Sequence, residues 1–388
     1  MRGTLKEFGG PFADTTHARG TVEKVEFVKS YSALRLRVMI KLARLPEHLP
    51  IRHGIDLYRV SYWTEHLGSP EIASGLYALP RGRAPMGTVT WMNGTNPTRS
   101  EAPSSGGLAG LRIAAPFAGS GFLLLAPDYL GLGISRTYHP YMYAPTTETT
   151  CIDFMQAAQA VSLGLGVAWR SSMMLAGFSQ GAFSTAVVQR ALEATPRRGI
   201  DVRAAAGLAS PLNLADVTAP RAFAGGSTAN TMYLAFLAHA YTRIYEKSLD
   251  TLLAEEYTQK VPVLFDGEHS VDDIVAQLPR DPREMFRPGV ADALLAGQPS
   301  WFRDALSSNE AVHWTPRAPL RLYYGEQDLD VPPDDSIRAA SEMQTRGGNV
   351  ELLPLGPYDH DGVIVHGVHR VRAWFVDLMD AGESDHAG

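Results

Sequence analysis

A single cysteine, Cys151, stands in 388 residues. No intrachain disulfide can form, and no cysteine-based zinc site can be built. At a helix start in Thr150-Cys151-Ile152, that thiol reads as a small buried hydrophobe. Long apolar runs are missing as well. No stretch reaches the roughly 18 apolar residues that a membrane helix needs, so stable membrane insertion is not expected. The opening MRGTLKEFGGPF lacks the apolar core of a secretory signal. A cytoplasmic location is therefore the expectation, with export after signal trimming left open. A basic excess is absent too: 35 Lys and Arg face 41 Asp and Glu, a formal net charge of −6. Scattered arginines without a basic stripe give no electrostatic case for nucleic acid. The densest basic stretch, Arg35 to Arg44, alternates with Leu, Val, Met and Ile and reads as an amphipathic element at the domain edge. No repeat and no low-complexity tract interrupts the chain.

What the sequence does have is apolar residues, 45% of the total, enough for one large domain carrying an insertion. From residue 55 onward, short apolar runs alternate with helical patterns, which argues α/β class and a mostly parallel sheet covered on both faces. Ile55 to Tyr62 and Ala73 to Leu79 read as an opening antiparallel pair. Gly87 to Met92, Gly121 to Pro127, Ser172 to Ala176, Val202 to Leu208, Leu320 to Tyr324 and Val350 to Leu355 read as buried strands. Thr149 to Leu163, Gln180 to Ala194, Asp334 to Thr345 and Val363 to Ala381 carry apolar residues at spacings of three and four, as helices do. The rhythm breaks after Ser210-Pro211. From there to Thr315 no strand signal appears, and a loop of that length does not fit a compact domain. The predicted organisation is an N-terminal extension over 1–54 packing on a core of 55–210 and 316–388. A helical cap over 211–315 enters between the sixth and seventh core strands.

Gly177-Phe178-Ser179-Gln180-Gly181 joins an apolar strand directly to a helical pattern, the context of a nucleophile elbow. Ser179 then occupies a strained turn that lifts its hydroxyl clear of the backbone, and side chains at the flanking glycines would collide with strand and helix. A serine hydroxyl needs a base, and the base needs an orienting acid. Sites built on such a turn follow the chain order Ser, acid, His, with acid and base after the last strands. After Leu320 to Tyr324 comes Gly325-Glu326-Gln327-Asp328-Leu329-Asp330-Val331-Pro332. Asp328 has the phase of the acid, and Asp330 is its competitor. After Val350 to Leu355, His360 falls in the loop where the base belongs, whereas His366 and His369 lie within the helical pattern. The oxyanion hole requires two backbone amides. One belongs to Gln180. The other belongs to the Asn93-Gly94-Thr95-Asn96 loop, where Thr95 is the first choice and Asn96 the second. Asn93 and Gly94 would border the substrate.

With these positions in place, the chain resembles the α/β-hydrolase superfamily, and within it the bacterial and fungal secretory lipases of the lipase A type. The residues that carry the likeness are Thr90-Trp91-Met92-Asn93-Gly94-Thr95, Ala126-Pro127-Asp128-Tyr129-Leu130-Gly131-Leu132-Gly133, Gly177 to Gly181, and the acid and base loops. It spans residues 55–380. The resemblance implies the α/β-hydrolase fold, a helical cap between the sixth and seventh core strands, and hydrolysis of carboxylic esters, often of fatty acids, without metal or cofactor. The chain departs from the family in carrying Asn93-Gly94 where His-Gly is usual. Asp128 reads as a loop-fixing carboxylate, not a catalytic one. Tyr129, Tyr138, Tyr141 and Tyr143 crowd the loop behind it.

In the cap, Met232, Phe236, Ala240 and Ile244 form one row, and Tyr233, Leu237, Tyr241 and Tyr245 form a second beside it. Together they make an apolar face wider than one buried stripe needs. The two rows read either as a helix buried between cap and core or, through Phe236 and Tyr241, as the wall of a pocket for an apolar or bulky ester, and the two readings can hold for opposite rows. The partner is then a small-molecule ester, and a homo-oligomer is left open. Three other functions compete: acyl transfer from Ser179 to an alcohol; an amidase or peptidase, for which Glu246 and Glu255 are only generic anchors; and a non-catalytic receptor, which would require a broken triad.

Overall fold

In the computed structural model, residues 17–42 and 50–384 are described. The first twelve residues and Arg44 lie outside them. Among the described residues, nine strands form one sheet: β1 Val22–Tyr31, β2 Ile55–His66, β3 Ser69–Pro80, β4 Thr88–Met92, β5 Leu123–Pro127, β6 Ser172–Phe178, β7 Asp201–Leu208, β8 Leu320–Gly325 and β9 Val350–Gly356. Their order is β1-β2-β3-β5-β4-β6-β7-β8-β9. The first three strands and β5 pair antiparallel, and from β5 to β9 every pair is parallel. Strands β4 and β5 are buried along their whole length, as parallel strands covered on both faces must be. This is the α/β-hydrolase architecture.

Thirteen helices accompany the sheet among the described residues. Before the insertion come α1 Ala33–Leu42, α2 Leu108–Ala118, α3 Ala144–Gly164 and α4 Gln180–Ala194. The segment between β7 and β8 carries α5 Ala219–Ala224, α6 Asn230–Ile244, α7 Glu255–Leu264, α8 Val271–Gln277, α9 Pro282–Met285, α10 Val290–Leu295 and α11 Trp301–Ser308. Then follow α12 Pro333–Thr345 and α13 His360–Ser384. One core lies beneath α3, α4, α12 and the inserted helices; the other lies beneath α1, α2 and α13.

The sheet has one more strand than the sequence pattern shows. β1 pairs antiparallel along β2 at the edge, so the insertion falls between β7 and β8. The exit from β7 into the insertion is fixed by buried Asp335 of α12. Its carboxylate accepts from the amides of Leu212 and Asn213, both at 2.9 Å, from the Asn213 side chain and from the Thr218 hydroxyl. Burial raises that carboxyl's pKa, against the pull of these donors.

Cys151 is fully buried, and burial raises its thiol pKa. Among the described residues, no helix is long and apolar enough to cross a membrane, and no group of three or more His, Cys, Asp or Glu is placed to hold a metal ion.

Candidate active site

β6 hands directly into α4 through Ser179, whose backbone sits at φ 55°, ψ −120°. A non-glycine residue in that region is strained, and strain of this kind persists only where the surroundings enforce it. Here the enforcement is visible. The Ser179 amide donates to Leu208 O of β7 at 2.8 Å. A Cβ on Gly177 would meet the Gly181 carbonyl oxygen, and a Cβ on Gly181 would meet the Met92 carbonyl oxygen. Both glycines are therefore required by close backbone approach, and the serine between them is turned toward the C-terminal edge of the sheet.

The loops after β8 and β9 converge on the same edge. His360 Nδ1 lies 2.8 Å from Asp328 Oδ2. The other oxygen, Oδ1, accepts the amides of Asp330 at 3.0 Å and Val331 at 2.9 Å. Asp328 is 2% exposed and takes part in three hydrogen bonds. The ring of Phe178, the residue just before Ser179, packs on His360 with centroids 4.6 Å apart. Serine, acid and histidine are thus brought to one place, although no hydrogen bond joins Ser179 to His360 among the described residues. His360 itself corrects the sequence reading. It is the first residue of α13, not a loop residue, because Asp359 caps that helix by accepting the Gly362 amide at 2.9 Å. His366 stacks on Tyr358 at 3.9 Å and His369 lies further along α13. Asp330 has a separate partner, the Tyr233 hydroxyl of α6, which donates to its Oδ2 at 2.9 Å.

Burial lowers the imidazole pKa of His360, but the hydrogen bond and charge of Asp328, with Asp330 and Asp361 behind it, outweigh this and leave it above 6.5. A base must be neutral to take a proton, and these carboxylates favour the cation. If His360 serves as base, kcat/KM should therefore fall as pH drops through an apparent pKa above 6.5, measurable as the acid limb of a pH–rate profile. A limb at or below that value would separate His360 from the rate.

Gln180 opens α4, where the first amides of a helix have no intrahelical acceptor. Among the described residues, neither its amide nor that of Thr95 donates to a protein group. On the β4 loop, the Asn93 carbonyl accepts from the Tyr129 hydroxyl at 2.9 Å, and its side chain reaches Pro127 O at 3.3 Å. Gly94 packs under Phe178. The Thr95 hydroxyl meets that of Tyr141 at 2.8 Å, while Asn96 turns away to close a local turn with Thr98. Sequence reasoning missed His139, which is buried and whose Nε2 lies 2.8 Å from Gln180 Nε2. Its partners lie far off along the chain, and no local pattern marks it. Asp128 accepts from Ser74 Oγ and from the amide and hydroxyl of Ser104, which fixes the loop and leaves it no place in the chemistry.

A cavity of about 30 Å³ opens beside Ser179. Leu214, Ala219, Ala222, Leu234 and Leu237 make its apolar wall, and Tyr233, Asp330 and Tyr141 its polar edge. Phe236 and Tyr241, read from the sequence as pocket wall, do not line it. Phe236 is 2% exposed within an aromatic stack, and Tyr241 is fully buried with its hydroxyl on Met142 O at 3.0 Å. The row that faces the cavity is the one carrying Tyr233 and Leu237.

No protein-family model and no curated protein sequence matches the chain. Solved folds do. A candidate hydrolase from Legionella pneumophila superposes with TM-score 0.86 at 25% identity, over 92% of this chain and 98% of that one. The rice cell wall degrading esterase LipA of Xanthomonas oryzae gives 0.84 at 24%, over 93% and 100%. Candida antarctica lipase A in its closed state gives 0.70 at 13%, over 94% and 83%. At the lower identities the likeness is one of fold.

Proposed function

We infer that this chain, an α/β-hydrolase by fold, is a serine hydrolase that cleaves carboxylic esters through an acyl-enzyme. The observation that carries the reading is the Asp328–His360 pair converging on the strained turn of Ser179. In the proposed reaction, Ser179 Oγ attacks the ester carbonyl as His360 Nε2 takes its proton. Asp328 holds Nδ1–H and stabilises the imidazolium that forms. The Gln180 and Thr95 amides receive the oxyanion. Collapse of the tetrahedral intermediate releases the alcohol, protonated by His360, and water then repeats the sequence on the acyl-enzyme. LipA of Xanthomonas oryzae and Candida antarctica lipase A, an esterase and a lipase by name, support ester substrates on this fold. Residues 211–315 act as a cap: they supply most of the cavity wall at Ser179 and none of the proposed catalytic groups.

The wall favours an apolar acyl group, and the volume sets its size. The cavity at Ser179 is small and partly enclosed, and a short acyl chain is the size that we propose for it. Across p-nitrophenyl esters, kcat/KM should fall by at least about tenfold from acetate to octanoate, since each misfitting methylene group matters in a closed pocket. Leu234→Ala should then move the octanoate-to-acetate ratio upward by roughly tenfold. Octanoate reacting as fast as acetate in the wild type would refute the size limit. Absence of hydrolysis on the whole series, together with no labelling by a fluorophosphonate, would refute the esterase reading itself.

A further inference from the structure

Two amides on separate elements must be held in place before an oxyanion forms, because preorganisation is what gives such donors their effect. Gln180, at the start of α4, is fixed through its side chain: its Nε2 lies 2.8 Å from Nε2 of His139. The other ring nitrogen of His139 lies 2.7 Å from Leu130 O. That carbonyl can only accept, so Nδ1 carries the proton and Nε2 accepts from Gln180. Burial pulls this imidazole down to about 4, which keeps the same neutral tautomer through the neutral range. Thr95, on the β4 loop, is fixed through its hydroxyl, 2.8 Å from that of Tyr141. His139 and Tyr141 are neighbours on the loop after β5, with ring centroids 5.9 Å apart.

One side chain from the inserted segment rests on both. Phe236 of α6 stacks on Tyr141 at 4.4 Å with 5° between ring planes, and meets His139 edge-on at 5.5 Å. Phe265 backs it from the other side at 4.4 Å. Phe236 has no polar atom, is 2% exposed and does not border the cavity at Ser179.

We propose that Phe236 is a positioning residue: through His139 and Tyr141 it braces the two residues whose amides form the oxyanion hole. The proposal rests on the esterase reading of Ser179. It assigns to the inserted segment a role in rate as well as in substrate choice. A smaller side chain at this position leaves space beside both rings, so both donors lose their fixed aim while the apolar wall of the cavity, made by Leu214, Ala219, Ala222, Leu234 and Leu237, is untouched. The loss therefore appears in kcat, equally for different acyl groups.

The test compares Phe236→Leu with Phe302→Leu, a deletion of the same size at an equally buried residue of the same segment. Phe302 packs on Tyr241 and Trp301. Rates are taken per active site titrated with a fluorophosphonate, so that unfolded protein is not counted. For Phe236→Leu, kcat should fall by roughly 10–100-fold on p-nitrophenyl acetate and butyrate alike, with KM within about threefold. The Ki of an alkyl trifluoromethyl ketone, whose hemiketal oxygen occupies the same hole, should rise by the same factor. Phe302→Leu should leave both within about threefold. Tyr141→Phe keeps the stack and removes only the link to Thr95; it should lower kcat by about tenfold, and the double variant should lose less than the product of the singles. Equal behaviour of Phe236→Leu and Phe302→Leu per titrated site, or an unchanged Ki, would overturn the proposal. A wild type that neither turns over ester nor takes the label fails the esterase reading first, and the proposal falls with it.

Discussion

Ser179→Ala should lower kcat toward a p-nitrophenyl ester by on the order of 10⁴–10⁶, while the protein melts within a few degrees of the wild type. The rate loss is expected to be chemical because little else changes. Alanine at φ 55° is strained as serine is, and the Ser179 amide bond to Leu208 O involves backbone only. The hydroxyl itself makes no hydrogen bond to His360 among the described residues, so its removal breaks no ion-pair network. Catalysis that survives would come from the Gln180 and Thr95 amides and from binding alone. A fluorophosphonate should label the wild type once, on the peptide containing Ser179, and the variant not at all. Labelling on another serine, or full turnover by the alanine variant, would remove Ser179 from the mechanism.

The parallel strands were legible because they are continuous apolar runs closed by turn residues. Gly121 to Pro127 contains β5, and Ser172 to Ala176 runs into the elbow that ends β6. β1 was not legible. Its sequence, VEKVEFVKSY, alternates with Glu and Lys on a half-exposed edge, and only pairing with β2 makes it a strand. α2 was hidden by Pro116 in its last turn and by glycines before and within it. The three candidate catalytic residues could be found because each sits at a fixed phase from a glycine or a strand end. His139 and Phe236 could not. Their relevance lies in contacts across 41 positions, from Gln180 to His139, and in a stack assembled from three separate segments. The α6 rows show the same limit. Periodicity identified two apolar faces, but which one meets the cavity depends on how the inserted helices settle on the core.

Asp328→Asn should cost on the order of 10⁴ in kcat, and Asp330→Asn far less. Both carboxylates stand near His360, and the sequence left them as competitors. The geometry separates them. Asp328 Oδ2 accepts from His360 Nδ1 while Oδ1 accepts two backbone amides, so the carboxylate cannot rotate away. An asparagine there keeps those amides on its carbonyl oxygen and turns its NH₂ toward the imidazole. Nδ1 must then accept, the proton moves to Nε2, and the ring loses the lone pair that should receive the Ser179 proton. Asp330 instead accepts from Tyr233, a bond that an asparagine carbonyl can keep. Its charge helps raise the His360 pKa, so Asp330→Asn should shift the acid limb of kcat/KM to lower pH and leave the plateau within about tenfold. The decisive measurement is the pair of pH–rate profiles. If Asp330→Asn removes the plateau and Asp328→Asn only moves the limb, the orienting acid is Asp330, and the Asp328–His360 hydrogen bond is structural.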